Sequence, residues 1–232
     1  MLDVLSVELH AHSDASYDGR DPVELLLQQA QSVGLDAIAI TDHDEFTASL
    51  EAAERAPEFG LIGIPGMEIS TAAGHVLALG ITEPIEPGLT FNQTIERIHD
   101  QGGTAIVPHP FQESRSGVLG QISTDAITAA DAIEVYNSRL ITGRSNRQAR
   151  QLAQRQELPR TAGSDAHIAE MVGQAITKVN PDERSADGIL TEIRNGRTIV
   201  DGKRTPWRIS FRQAAGGVKR RIAHRLNGDS SE

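Results

Sequence analysis

Three features of the sequence converge on an α/β fold. Short apolar, β-branched runs alternate with helical patterns across roughly 200 residues, the signature of βαβ units. Most of these runs are too apolar to have a wet face and suit a sheet covered on both sides. The histidines and carboxylates fall just after the runs, at the rim where α/β active sites assemble. Periodicity alone leaves both a closed barrel and an open doubly wound sheet available.

The elements follow in order. Strands are expected at Val4–Leu9, Ala37–Ile40, Leu61–Ile64, Val76–Leu79, Ala105–Val107, Ile133–Val135 and Thr198–Val200, with a short one near Arg160–Ala162. The first helix should be capped by Asp21, with Pro22 at its first position, Glu24 in the capping-box position and Gly34 after its end. Thr90 should open another, backed by Gln93 and stopped by Gly102-Gly103. Ser145–Glu157 is helical in pattern and ends before Pro159, and Ser185 starts a helix that runs to Asn195-Gly196. Arg212–Leu226 is a last, basic amphipathic candidate. With no internal repeat or low-complexity linker, the expected parse is one catalytic unit over residues 1–200 and a basic extension over 201–232, partly packed on it.

Composition excludes several classes. The chain of 232 residues has no cysteine, which removes disulfide scaffolds, thiolate metal sites and cysteine nucleophiles. No apolar run approaches the roughly 20 residues of a membrane span. Met1–Glu8 lacks the blocks of a signal peptide, so a soluble cytoplasmic protein is expected. The net charge is −10, yet residues 201–232 carry eight Lys/Arg against three Asp/Glu. The acidic remainder does not suit general nucleic-acid coating, which leaves residues 203–225 as the one candidate patch for it. The bland alternative for that stretch is a strand and helix closing the acidic body.

Six of the eight histidines sit in metal-like contexts. His10 and His12 form an H-x-H pair at the end of the first strand, where alternate residues share a face. Thr41-Asp42-His43-Asp44 ends the second, Gly66-Met67-Glu68 follows the third, and His75 opens the fourth. His109 lies between two prolines, and Gly163-Ser164-Asp165-Ala166-His167 follows the short strand. His99 and His224 read as surface residues. Imidazole and carboxylate without thiolate suit Mn, Zn or Fe, and a bridging carboxylate lets two or three ions sit together. Clustered cations acidify a shared water and clamp phosphate oxygens. Ser13 and Ser164 lack the flanks of a nucleophile elbow, so a metal-bridging hydroxide is the better nucleophile.

These motifs resemble the polymerase and histidinol phosphatase (PHP) family of metal-dependent phosphoesterases. The matching segments are Glu8-Leu9-His10-Ala11-His12-Ser13, Ile40-Thr41-Asp42-His43-Asp44, Gly66-Met67-Glu68-Ile69-Ser70, Val107-Pro108-His109-Pro110 and Gly163–His167. The resemblance implies a distorted seven-stranded (βα) barrel of parallel strands and a cluster of two or three divalent ions. By position, it implies that His10, His12, Glu68 and Asp165 hold a first ion. Glu68 would bridge to a second, completed by His75 and His109, and Asp18, His43 and His167 would hold a third. Asp42 or Asp44 could orient ligands from behind. The inserted domain of some nucleotide-acting relatives has no room in the 33 residues that separate His75 from His109.

Arg115, Asn137, Arg139 and Arg144 lie on the same rim, and guanidinium groups pair bidentately with phosphate. The expected function is hydrolysis of a phosphate ester, a small phosphomonoester or nucleotide rather than a polymer. The alternatives are an exonuclease on short oligonucleotides and a non-catalytic metal-binding module. A carbamylated-lysine amidohydrolase is disfavoured because no lysine precedes Lys178.

Overall fold

A computed structural model describes residues 4–112, 117–139 and 143–203. Ten strands and five α-helices alternate along it. They are β1 (Leu5–Glu8), α1 (Val23–Ser32), β2 (Ala37–Ala39), α2 (Thr47–Arg55), β3 (Ile62–Ile64), β4 (Gly66–Thr71) and β5 (Gly74–Leu79). Then come α3 (Phe91–Asp100), β6 (Thr104–Val107), β7 (Ala132–Asn137), α4 (Gly143–Arg155), β8 (Arg160–Gly163), β9 (Ala175–Val179), α5 (Ala186–Arg194) and β10 (Thr198–Gly202).

The strands form two five-stranded sheets, β10-β9-β1-β2-β3 and β4-β5-β6-β7-β8, not one ring of seven parallel strands. β1-β2-β3 and β6-β7-β8 are parallel, as βαβ units require. The pairs β4–β5, β5–β6, β1–β9 and β9–β10 are antiparallel. The reversal at β4–β5 has a local cause: two residues, Ala72 and Ala73, separate the strands, and a parallel crossover needs a dozen or more. Two isolated bridges, Ala11 with Ala166 and His43 with Glu68, link the sheets just beyond the strand ends.

Both sheets line one apolar interior. Leu5, Val7, Ala37 and Ile64 of the first sheet cluster with Leu77, Leu79, Ile106 and Ala132 of the second, and Ile189, Leu190 and Ile193 of α5 join them. Each such Leu, Ile or Val side chain contributes roughly 1.5–3 kcal/mol when fully buried. A second cluster packs α1 and α2 outside the first sheet, and a third packs α3 and α4 outside the second. The inner strands are thus covered on both faces, whereas β9 and β10 keep a partly exposed one.

The caps test the local expectations. Thr90 and Gln93 make the full capping box of α3, and the Ser185 side chain accepts from Gly188 N at the start of α5. Asp21 does not cap α1. Pro22 holds the cap position without a side-chain bond, while Asp21 Oδ2 accepts from Ala169 N 2.7 Å away and ties this loop to the one after β8. α4 begins at Gly143 and ends at Arg155, two residues earlier at each end than the pattern indicates. α2, β4 and β9 are additions to the expected elements. Arg115, Arg212–Leu226 and the basic patch from residue 204 onward lie outside the described residues. Among the described residues, no helix is long and apolar enough to cross a membrane.

Candidate metal centre

The ligand candidates meet because strand ends meet. His10 and His12 extend β1, where His12 N donates to Ala166 O (2.7 Å) and Thr41 N donates to Ala11 O (2.7 Å). Asp44 N donates to Glu68 O and Glu68 N to Asp42 O, which sets His43 beside Glu68. His75 lies near the amino end of β5; because β5 runs antiparallel to β4 and pairs it with Ser70, that end reaches the same rim. His109 follows β6, and Asp165 and His167 follow β8.

Glu68 is the hub. Its Oε2 lies 3.1 Å from His10 Nε2, 3.2 Å from His12 Nε2 and 3.4 Å from His43 Nδ1. Its Oε1 lies 2.7 Å from His75 Nδ1 and 3.3 Å from His109 Nε2. Burial pushes the Glu68 carboxyl up, but His43, His10 and His75 outweigh it and hold it well below the carboxylate range. Conversely, burial lowers His10, and the charges of Glu68 and Glu134 overcome that and raise it.

The other side centres on Asp18. Its Oδ2 lies 2.7 Å from His167 Nε2 and its Oδ1 3.8 Å from His43 Nε2. Ser16 Oγ donates to Asp18 Oδ1 and accepts from His43 N. Burial lowers His43 to about 4, and burial with the neighbouring His167 lowers His12. The Tyr17 ring stacks on His43, with centroids 4.8 Å apart.

Four groups of side chains have ligand atoms within 4.8 Å of one another: His12, Asp18, His43 and His167; His10, His109 and Asp165; His10, His12 and Glu68; and His43, Glu68 and His75. Both ring nitrogens of His12, Nδ1 of His43 and Nδ1 of His109 are buried without a hydrogen-bond partner. Buried polar atoms are ordinarily satisfied. Buried imidazole nitrogens without partners around shared carboxylates fit divalent cations, and no thiolate directs the choice of metal.

Around this set stand residues that position it. Glu134, which motif reasoning missed, is buried on β7 with Oε1 3.0 Å from His10 Nδ1, while its Oε2 accepts from His109 N and Asn137 Nδ2. A register shift between Glu134 and Tyr136 lets residues three apart converge. Its one sequence signal is an acid inside the apolar run Ile133–Val135, where a charge needs a partner. Glu8 accepts from the backbone N–H groups of His10, Ser164 and Gly173, and burial still lifts its carboxyl to about 7. Gly163 permits the contact of β8 with this corner: a Cβ there would lie 2.5 Å from both Glu134 Oε1 and His10 Cβ.

Asp42 accepts from Ser13 N and Ser13 Oγ (2.6 and 2.5 Å), and Asp44 Oδ1 accepts from Ser70 N (2.7 Å); both fix loops. Asn137 is buried and donates from Nδ2 toward Glu134 and Asp165. Arg139 reaches the cluster, with Nη1 3.0 Å from Asp165 Oδ1 and 2.8 Å from His167 Nε2, whereas Arg144 is exposed on the first turn of α4. His99 is a surface residue facing Asp131. Asp44, His109 and Asp165 all have positive φ (52°, 29° and 51°), a costly conformation for non-glycine residues that concentrates at functional sites. A cavity of about 670 Å³ opens beside His75, between Ser70–Gly74 and Gly117, Gly120 and Gln121.

Comparison with known proteins gives the following. Residues 8–157 match the PHP domain, and residues 143–198 match a PHP-associated segment. Two uncharacterised proteins of Methanocaldococcus jannaschii are similar. One is 33% identical over 144 residues (58% of this chain, 82% of the relative), and the other is 28% identical over 94% of each chain. Among solved structures, a two-domain protein from Bacteroides vulgatus, described as containing a predicted PHP-like metal-dependent phosphoesterase, superimposes with a TM-score of 0.73 at 24% identity. The match covers 86% of this chain and 65% of that one. The lesion-specific Endonuclease Q of Pyrococcus furiosus has a TM-score of 0.63 at 16% identity, covering 85% and 58%.

Proposed function

The chain belongs to the PHP domain family, and from that premise we propose that it hydrolyses a phosphate ester, a small phosphomonoester or nucleotide, with two or three bound Mn, Zn or Fe ions. The observation that carries this reading is Glu68, whose two carboxylate oxygens are each approached by separate imidazoles. In this assignment His10, His12, Glu68 and Asp165 hold one ion, Glu68, His75 and His109 a second, and Asp18, His43 and His167 a third. When bound, the ions supply a nucleophile from water and offset charge on the phosphoryl oxygens. Glu134 fixes the His10 ring through Nδ1 and so presents Nε2, and Asn137 steadies Asp165. Of the two sequence-proposed arginines among the described residues, Arg139 lies within hydrogen-bond reach of the cluster and is suited to a phosphoryl oxygen. The cavity beside His75 has the volume of a small-molecule site, which favours a compact leaving group.

The test is metal content followed by Mn-dependent phosphate release from a panel of phosphomonoesters and short oligonucleotides. The expected result is two or three ions per chain, and turnover that is lost in an Asp165→Ala, His167→Ala double variant. Less than one ion per chain after reconstitution would sink the reading. The fold shared with Endonuclease Q keeps cleavage of nucleic acid as the second reading; it requires activity on the oligonucleotides that falls steeply with salt.

A further inference from the structure

The Asp18 side of the centre contains a positive charge of its own. His167 Nδ1 lies 2.9 Å from the Asp165 carbonyl, which only accepts, so Nδ1 is the donor there, and the guanidinium donor of Arg139 at Nε2 makes that nitrogen the acceptor. That nitrogen faces Asp18 Oδ2 at 2.7 Å, two acceptors that repel unless a cation serves them. The described cation in contact with His167 Nε2 is Arg139, with Nη1 2.8 Å away and 3.0 Å from Asp165 Oδ1. Its backbone N donates to Asn137 Oδ1, so the arginine is tied to the residue that also braces Asp165. The Arg139 side chain is a fifth exposed, and its long stem gives the guanidinium a route toward solvent.

We propose that Arg139 competes with the third ion: its guanidinium holds His167 Nε2 and Asp165 Oδ1 until an ion displaces it, and the displaced guanidinium turns to the substrate's phosphoryl oxygens. Third-ion binding and phosphate recognition are then coupled through one side chain. The proposal rests on the metal-binding reading above and adds to it a resident competitor. Such coupling is reciprocal, so phosphate tightens the third ion as that ion tightens phosphate; removing the guanidinium tightens the third ion in the absence of phosphate and loosens phosphate.

Calorimetric titration of the metal-free full chain with Mn separates the sites. In wild type, two ions bind tightly and the third weakly. In Arg139→Met, which removes the charge at similar volume, the third affinity rises on the order of tenfold, the ion that shares Asp165 tightens by less, and the ion on Glu68, His75 and His109 holds. Arg139→Lys keeps a charge and stays nearer wild type, which separates loss of the cation from general loosening. Inorganic phosphate, titrated into the Mn-loaded proteins, binds more weakly to the Met variant. A third affinity that is unchanged or weaker in Arg139→Met, or equally changed in both variants, overturns the proposal. Wild type that binds less than one ion overturns the metal reading itself and this proposal with it.

Discussion

The two halves of the candidate centre are built differently. On the Glu68 side the ligand candidates are buried and three points are braced from behind: His10 by Glu134, the β1 end by Glu8, and Glu68 itself by a backbone bond to Asp42. On the Asp18 side the candidates hang on loops. Asp18 sits within residues 13–19, its side chain is 16% exposed, Ser16 Oγ donates to it at 3.2 Å, and Tyr17 of the same loop stacks on His43. A site held by strand ends and buried carboxylates is preorganised, whereas one held by a loop can yield. The difference teaches that ion occupancy need not be uniform across the cluster. The Glu68 half should retain metal under conditions that empty the Asp18 half.

The largest effect should come from breaking the first half at its hub. Glu68→Ala leaves five imidazoles without their shared carboxylate, so at least two ions are lost and turnover falls by on the order of 10³-fold or more. Asp18→Asn should cost one ion only and leave residual turnover well above that of the Glu68 variant. Metal analysis by inductively coupled plasma emission, run beside phosphate release, reads both. Equal losses in the two variants would erase the distinction between the halves.

The next effect sharpens the role of bracing. Glu134→Gln keeps an acceptor toward His10 Nδ1 but removes the charge, and it places an NH₂ among the donors His109 N and Asn137 Nδ2. We expect metal affinity or activity to fall roughly 10–100-fold, with the fold intact by circular dichroism. A variant that binds metal as wild type does would reduce Glu134 to a buried structural acid.

Much of the candidate centre was legible in the sequence, and the reasons are physical. H-x-H on a strand and Asp-x-His after one place ligand atoms by local geometry, so His10, His12, Asp165 and His167 could be named without knowing what packs against them. Thr90-x-x-Gln93 and Ser185 likewise act within one helical turn. Glu134 could not be found that way, because its partner His10 is 124 positions distant and no short motif links them. The sheet reversal was legible in principle: a two-residue gap followed by Gly74 rules out a parallel connection between β4 and β5. β9 had no such signal: its burial alternates with period two, but Thr177 is on the buried face and Ile176 on the half-buried one, so the apolar pattern of Ala175–Val179 does not alternate. Asp21 had a cap's identity and position, yet the loop after β8 offered the Ala169 N–H instead. Tertiary contact overrode a sound local rule.

The smallest effect tests whether the loop carrying His43 can be weakened without emptying the Glu68 half. Glu45 Oε1 accepts from Thr47 N (2.7 Å) and Phe46 N (3.0 Å), two free donors at the start of α2. Glu45→Ala should destabilise the chain by about 1 kcal/mol, as loss of a side-chain acceptor at a helix start does, read as a shift in the urea midpoint. The bond to Thr47 holds the Glu45 carboxyl below its ordinary value of 4.5. A depressed folded value means that the stabilisation is fully present above 4.5 and fades as pH falls through the folded value. The gap between wild type and variant should therefore close in acid and stay constant above pH 6. Ion content should be unchanged on the Glu68 side, because none of its ligands bonds to Glu45. If the variant lost all its ions at neutral pH, the two halves would be one cooperative unit and the comparison would fail.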